Sequence, residues 1–155
     1  MALEIERKFL IDINKLEKLE NGYVIKQAYI QTKDNTTVRV RVKGDEAFLT
    51  IKGESVGASR AEYEYSIPVV DANEMLDTLC AKPIVDKTRY LVKDKKNTWE
   101  IDIFHKENDG LIVAEVEIES EDEKVELPDW IVKEVTGEVR YYNSNLLEYP
   151  YSQWT

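Results

Sequence analysis

Acidic and basic side chains recur along this chain in pairs spaced two residues apart. The first pair is Glu4 and Glu6, with Lys8 at the same spacing beyond it. In a β-strand, residues two apart lie on one face, so these three side chains would point the same way. Each later set carries a single sign of charge: Arg39 with Arg41, Glu62 with Glu64, Lys87 with Arg89, Glu100 with Asp102, and Glu115 with Glu117 and Glu119. The repeated spacing predicts one surface lined by charged side chains.

The two signs of charge suit different partners. Paired carboxylates bind hard divalent cations such as Mg²⁺ or Mn²⁺ through oxygen. Arginines make planar bidentate contacts with phosphate oxygens. The cations predicted to converge on one such anion are Lys8, Arg39, Arg41, Lys52, Arg60, Lys87 and Arg89. Both sets together predict a metal-dependent phosphoryl site, where an acidic side chain orients a water molecule for attack.

Eight segments with an apolar and a charged face could carry these side chains. They are residues 2–10, 23–31, 36–43, 47–52, 60–67, 84–93, 98–104 and 111–119. Short turns connect most of them, which predicts a mainly antiparallel sheet. Eight such strands suit a closed barrel, with short helices on its outside. The helices are predicted over residues 13–20, 71–81, 129–134 and 138–148.

The charged face is predicted to point into the barrel. Like charges about 7 Å apart repel by about 0.6 kcal/mol in water and about 2.4 kcal/mol at an effective dielectric of 20. A solvated face would mix the two signs to avoid this repulsion, whereas here the signs are sorted by strand. The apolar stripes of the helices also need an apolar sheet face outside. The alternative is an ordinary half-buried sheet with its charges in water.

Composition limits the class of protein. A length of 155 residues suits a single domain over residues 1–155. The net charge of -10 argues against a general nucleic-acid binder, which needs a basic surface. Cys80 is the only cysteine, and no apolar run reaches transmembrane length or forms a signal peptide. We therefore expect a cytoplasmic protein without nucleic-acid or membrane partners.

The Glu4-x-Glu6-x-Lys8 stretch resembles the ExExK signature of the CYTH domain, the triphosphate tunnel metalloenzyme superfamily. The resemblance continues in order through the stretches at 38–41, 49–52, 60–64, 87–90, 99–104 and 114–117, and through 134–136 ahead of Arg140-Tyr141. It covers nearly the whole chain. It implies an eight-stranded antiparallel tunnel that binds a triphosphate together with a divalent metal.

The resemblance also implies roles for individual residues. The metal would be bound by Glu4, Glu6, Glu115, Glu117 and Glu119. The phosphates would be bound by Lys8, Arg39, Arg41, Lys52, Lys87 and Arg89, with Arg140 as a further contact at one tunnel mouth. The catalytic residues would be Lys87, Tyr29, Glu62 and Glu64. Tyr29 would tune the attack of water. Glu62 and Glu64 would complete the acidic wall, or position a second metal and its water. Glu100 and Asp102 could orient the basic residues.

The expected activity is hydrolysis of inorganic tripolyphosphate to pyrophosphate and phosphate, with Mg²⁺ or Mn²⁺ as cofactor and a homodimer as the assembly. The short chain favours the smallest of the family's substrates. The alternatives are a class IV adenylate cyclase, a nucleoside or thiamine triphosphatase, and a binding module for triphosphate or polyphosphate without catalysis. A lipocalin-like carrier of apolar ligands is a further alternative, against which the charged inner face argues.

Overall fold

One antiparallel sheet of nine strands accounts for much of the computed structural model, which describes residues 5–54 and 61–154. The strands are β1 Ile5–Ile11, β2 Tyr23–Ile30, β3 Thr37–Lys43, β4 Glu46–Lys52, β5 Glu62–Ile67, β6 Val85–Asp94, β7 Asn97–Phe104, β8 Ile112–Ile118 and β9 Ile131–Glu134. Two helices accompany them, α1 Val69–Thr78 and α2 Asn143–Glu148. The eight predicted strands are confirmed as β1 to β8.

The order across the sheet is β5-β4-β3-β2-β6-β7-β8-β1-β9. All eight neighbouring pairs are antiparallel, as predicted. In the described part of the chain, β5 and β9 do not pair, so the sheet stays open where a closed barrel was predicted. The ninth strand takes the free edge of β1, and it is only four residues long.

The ninth strand corrects the predicted helix over residues 129–134. Its sequence starts with Ile131 and Val132, and β-branched residues favour a strand. The backbone N–H of Asp12 donates to the carbonyl of Trp130 at 2.8 Å, which fixes the chain beside β1 just before the strand begins. Pairing with β1 therefore overrides the helix signal of the preceding proline.

The apolar faces of the strands pack beneath α1 and the loops, as predicted for the outside. Ala72 and Leu76 of α1 pack on Ala28, Val40 and Ala47 of β2, β3 and β4. Fully burying a side chain as large as that of Val40 or Leu76 contributes about 1.5–3 kcal/mol to stability. A second cluster joins the apolar faces of β1, β7 and β8, and it comprises Phe9, Trp99, Ile101, Ala114, Val116 and Trp130.

The C-terminal segment, in contrast, packs against the end of the charged face. Tyr141 and Leu146 join Val85, Phe104 and Val113 in a third apolar cluster. Val85, Phe104 and Val113 lie on the charged face, because they stand opposite Gln27, Lys87 and Asp102, respectively, in the ladders. The prediction that the helices lie outside the sheet therefore holds for α1, whereas α2 covers one end of the charged face.

Three predicted helices are shorter or broken. Residues 13–20 form only a single 3₁₀ turn, Ile13–Lys15, because Leu16 is extended. Extended backbone at Tyr142 divides residues 138–148 into the 3₁₀ turn Val139–Tyr141 and α2. The helix predicted to begin at Asp71 begins at Val69, after Pro68, and ends at Thr78. Among the helices of the described residues, none has the length and apolarity to cross a bilayer.

An ion pair at the β1–β9 edge gives a testable pH dependence. Arg7 donates to both carboxylate oxygens of Glu134, with Nε–Oε2 at 2.9 Å and Nη2–Oε1 at 2.8 Å. The hydrogen bond from Arg7, with a further bond from Thr136, lowers the pKa of Glu134 to about 2. The folded pKa is below the unfolded value of about 4.3, so the stabilisation is complete above that value and disappears as the pH falls towards about 2.

Replacing Glu134 with glutamine is therefore expected to lower the free energy of unfolding by no more than about 1 kcal/mol at pH 7, because the pair is partly exposed. Urea unfolding at pH 7, 4 and 2.5 measures the effect. The difference between variant and wild type should shrink as the pH falls through this window. A difference that stays constant with pH would contradict the ion-pair explanation.

Candidate active site

One half of the charged face is built by β2, β3 and β4. Residues directly opposite each other in an antiparallel ladder point to the same face. Arg39 lies opposite Tyr29 on β2 and Thr50 on β4, and Arg41 lies opposite Gln27. The two arginines therefore stand side by side on one surface, next to the predicted tyrosine.

The other half of the charged face is built by β6, β7, β8 and β1. Lys8 lies opposite Glu115, and Glu115 lies opposite Glu100. Arg89 of β6 lies opposite Asp102 of β7. Because β2 pairs with β6, the two halves form one continuous charged surface.

Asp102 is a buried carboxylate shared by two cations. Its oxygens accept hydrogen bonds from Lys87 Nζ at 2.8 Å and from Arg89 Nε and Nη2 at 2.7 and 2.9 Å. Arg89 Nη1 donates a further hydrogen bond to Glu100 at 2.7 Å. Lys87 is fully enclosed, and its ammonium also donates to Asn143 Oδ1 of α2 at 3.3 Å. The protein's own carboxylates therefore neutralise much of the charge on β6.

Burial and pairing act in opposite directions on the pKa values in this cluster. Burial lowers the pKa of Lys87, despite the attraction of Asp102. Burial would also lower the pKa of Arg89, but its hydrogen bonds to Asp102 and the charges of Asp102 and Glu100 raise it. Burial would raise the pKa of Asp102, yet the two cations lower it. Asp102 is thus held ionised and Arg89 is held charged.

The positive charges of Arg39 and Arg41 are neutralised much less than those of Lys87 and Arg89. The Nε of Arg41 donates to the neutral amide oxygen of Gln27 at 2.7 Å, and no described carboxylate lies within salt-bridge distance of Arg41. Among the described carboxylates, only the exposed Glu64 lies within salt-bridge distance of Arg39, at 3.7 Å from Nη2, which also donates to Thr50 Oγ1 at 3.5 Å. The buried Nε of Arg39 has no hydrogen-bond partner within the described residues. Burial lowers the pKa of Arg41 to about 10, and the charges of Arg39 and Arg89 add to the effect. Buried charge without a partner is unfavourable, so an anion would be stabilised here.

An acidic pair lies beside the lysine of β1. Glu6 and Glu115 lie diagonally across the β1–β8 ladder on the same face, and the side chain of Glu6 lowers the pKa of Glu115. Lys8 Nζ lies 3.5 Å from Glu115 Oε1 and donates to the carbonyl of Tyr141 at 3.1 Å. Burial would raise the pKa of Glu115, but the contact with Glu6 and the charges of Lys8 and Lys87 lower it. Two carboxylates close together on one face repel each other, and a cation between them would offset that repulsion.

The donor chemistry of this acidic pair fits Mg²⁺ or Mn²⁺. Glu117 lies opposite Glu6, so it shares the same face. Within residues 5–54 and 61–154, no three acidic, histidine or cysteine side chains are grouped closely enough to hold a metal ion. Mg²⁺ is usually bound by one or two carboxylates together with waters and substrate phosphates, an arrangement that Glu6 and Glu115 could provide. The predicted ligand Glu4 lies outside the described residues.

Glu62 and Glu64 form an exposed acidic wall on the edge strand β5. Glu62 lies 3.9 Å from Lys52 Nζ, and Glu64 accepts a hydrogen bond from the hydroxyl of Thr50 at 2.8 Å. Both carboxylates are about half exposed. Glu64 can therefore contact water and Arg39 at once, and Glu62 can contact water and Lys52.

Some predicted residues are not brought to this surface. Arg140 is exposed and stacks on the ring of Trp154, with 4.5 Å from the guanidinium carbon to the ring centroid. Glu119 lies beyond the end of β8 and is exposed. Arg60 lies outside the described residues. A substrate contact by Arg140 and metal binding by Glu119 remain predictions that this arrangement does not support.

A cavity of about 1040 Å³ opens between the charged face and α2. Among its lining residues are Tyr29, Arg39 and Lys52 from the sheet and Ser144, Leu147 and Glu148 from α2. The cavity gives a solute direct access to the side of the face where positive charge is least neutralised.

Two contacts of the site were missed by the sequence reasoning. Gln27 is almost fully buried and accepts a hydrogen bond from Arg41. The sequence feature that could have indicated this contact is a polar residue at an inward-facing position of β2. Asn143 contacts Lys87 from α2, more than fifty residues along the chain. That contact depends on how the C-terminal segment folds back, and the sequence offers no spacing that indicates it.

The sequence model of the CYTH domain matches residues 2–148. The chain belongs to the CYTH domain family. The matched region includes all nine strands of the described sheet, together with α2. The resemblance proposed from the ExExK signature and the stretches that follow it is therefore confirmed.

Two relatives and one solved structure that are similar to this chain are each named inorganic triphosphatase. An inorganic triphosphatase from Acetivibrio thermocellus is 47% identical over 154 residues, which cover 99% of each chain. An inorganic triphosphatase from Nitrosomonas europaea is 38% identical over 147 residues, covering 92% of this chain and 95% of the relative. The crystal structure of the inorganic triphosphatase NE1496 superposes with a TM-score of 0.75 at 34% identity and 95% coverage of both chains. The antiparallel tunnel-type fold is thus shown by a solved relative.

Proposed function

We propose that this protein is an inorganic triphosphatase that hydrolyses tripolyphosphate to pyrophosphate and phosphate. The observation that carries the proposal is the pair of weakly neutralised arginines, Arg39 and Arg41, on a face that also bears the Glu6–Glu115 pair. A polyanion would satisfy the first group, and a divalent cation would satisfy the second. The relatives named inorganic triphosphatase support the same activity.

The cations of the chain would bind and orient the substrate. Arg39 and Arg41 offer planar donors for phosphate oxygens, and Lys8 stands on the opposite side of the face beside Glu115. Asp102 holds Arg89 by two hydrogen bonds, so Arg89 would act through its position and residual charge. Positioning and charge stabilisation account for most of the catalysis of phosphoryl transfer.

The divalent metal is part of the proposal. Glu6 and Glu115 would hold it, with Glu117 near them and Glu4 and Glu119 as the remaining predicted ligands. A bound Mg²⁺ or Mn²⁺ would polarise phosphate oxygens and offset their charge.

The exposed acids of β5 are proposed to orient the attacking water. Thr50 donates to Glu64, which fixes that carboxylate next to Arg39. Glu62 stands two residues away beside Lys52. Tyr29 lies opposite Arg39 and lines the cavity, where its hydroxyl could tune the attack. Lys87 would contribute through the charge network around Asp102, since its ammonium is enclosed in this structure.

Further predictions about the protein remain part of this proposal. They are a cytoplasmic location, a homodimer, a single domain over residues 1–155, and no nucleic-acid or membrane partner. A net charge of -10 supports the absence of a nucleic-acid partner. A buried free thiol at Cys80 is compatible with a reducing compartment.

Phosphate release from four substrates tests the activity. Tripolyphosphate, ATP, thiamine triphosphate and pyrophosphate are each incubated with Mg²⁺, Mn²⁺ or EDTA. We expect metal-dependent turnover of tripolyphosphate well above that of the other three, and none in EDTA, because the metal must offset the charge of the anion.

The other outcomes identify the alternative functions. Turnover of ATP alone would replace the proposal with a nucleotide enzyme, and pyrophosphate release from ATP would identify a cyclase. Tight binding of tripolyphosphate without turnover of any substrate would identify a binding module.

A further inference from the structure

We propose that Gln27 is a positioning residue that aims Arg41 at the anion while leaving the arginine's charge available to it. This inference rests on the proposed function, because it concerns how the same site binds its anion. Gln27 has only 1% of its surface exposed, and its amide oxygen accepts the Nε–H of Arg41 at 2.7 Å. It lies on β2 between Arg41 of β3 and Val85 of β6.

A comparison with the neighbouring arginine shows why an amide matters at this position. Arg89 is held by two carboxylates, Asp102 and Glu100, through three hydrogen bonds of 2.7 to 2.9 Å. Those carboxylates fix the guanidinium but also cancel its charge. Gln27 supplies the same kind of acceptor to Arg41 without a negative charge. The face thus contains one arginine built into an internal ion-pair cluster and one left for a ligand.

The cost of this arrangement indicates a ligand. Arg41 is largely buried beside Arg39 and Arg89, and a buried cation without a counter-charge is unfavourable. A glutamate at position 27 would remove that penalty with nearly the same side-chain shape. The glutamine leaves Arg41 without a paired carboxylate until an anion enters. We infer that Gln27 sets the affinity of the site for the phosphate chain and leaves the chemical step to other groups.

The decisive variant is Gln27→Glu, which preserves the hydrogen-bond acceptor and adds one negative charge. We expect the Kd for tripolyphosphate, measured by calorimetry in EDTA, to rise by about tenfold or more. The dependence of this Kd on salt concentration should become shallower, because one attractive charge of the site is cancelled. In the metal-containing assay, KM should rise by a similar factor while kcat stays within about threefold. Asn14→Asp, in an exposed turn, adds the same charge outside the site and should leave the Kd unchanged.

A second variant tests the aiming role by itself. Gln27→Met keeps the approximate volume but has no oxygen to accept from Arg41, so the Kd should rise while its salt dependence stays that of the wild type. A purely structural role would leave Gln27→Glu at wild-type affinity, since that side chain accepts the same hydrogen bond. Wild-type affinity in either variant would overturn the proposal. Because binding is measured without metal, an absence of hydrolysis would count against the proposed function and not against this role of Gln27.

Discussion

Replacing Asp102 with asparagine is expected to lower the free energy of unfolding by about 3–5 kcal/mol. The side chain is nearly inaccessible, and it accepts three hydrogen bonds from Lys87 and Arg89. The asparagine would leave two buried cations facing a neutral amide whose NH₂ group cannot accept their hydrogen bonds. Removal of one partner from a buried ion pair is costly because the remaining charge stays out of water. Urea unfolding followed by tryptophan fluorescence measures the change.

The matched control for this variant is Glu100→Gln on the same strand. Glu100 accepts only one hydrogen bond from Arg89, and its side chain is 34% exposed. Water can replace that contact, so the expected loss is about 1 kcal/mol or less. Equal losses in the two variants would show that Asp102 is not the centre of the cluster. A stable Asp102→Asn protein would show that the cations of β6 tolerate burial without it.

Replacing Glu6 with glutamine is expected to reduce the triphosphatase rate by about a hundredfold or more while the stability changes by no more than about 0.5 kcal/mol. Glu6 is exposed, so its neutral isostere costs little folding energy. Its carboxylate faces Glu115 at the proposed metal site, where a neutral amide would bind a divalent cation far less strongly. Initial rates at several metal concentrations, with urea unfolding of the same samples, measure both quantities.

Glu74→Gln provides the control for the loss of one exposed carboxylate. Glu74 lies on α1, on the other side of the sheet from the charged face, so both rate and stability should match the wild type. If Glu6→Gln keeps the wild-type rate at limiting metal, the proposed metal site is wrong. If it unfolds instead, Glu6 has a structural role that its exposure does not indicate.

The sequence by itself determined eight of the nine described strands and the composition of the charged face. Alternation with period two places Arg39 and Arg41 on one face whatever the tertiary structure, because a strand's side chains alternate. The same rule groups Glu62 with Glu64 and Lys87 with Arg89. The sorting of charges by strand then indicated a surface for an anion and a metal, and the ordered stretches identified the family.

Short segments with weak propensities were not determined in this way. Residues 131–134 form a strand only because the edge of β1 is available to pair with them. Residues 138–148 carry an amphipathic pattern, yet packing of Tyr141 on the apolar cluster interrupts the helix. In both places, contacts with distant parts of the chain outweigh local preferences, which amount to less than about 1 kcal/mol per residue.

Only the tertiary structure decided which cations are available. Lys87 and Arg89 look like Arg39 and Arg41 in the sequence, since each pair has the same spacing and sign. The sheet places β6 beside β7, whose Asp102 cancels much of the charge of Lys87 and Arg89. It places β3 beside β2, where Arg41 meets the neutral Gln27. Charge along a strand is a local property, but the neutralisation of a charge depends on which strand becomes its neighbour.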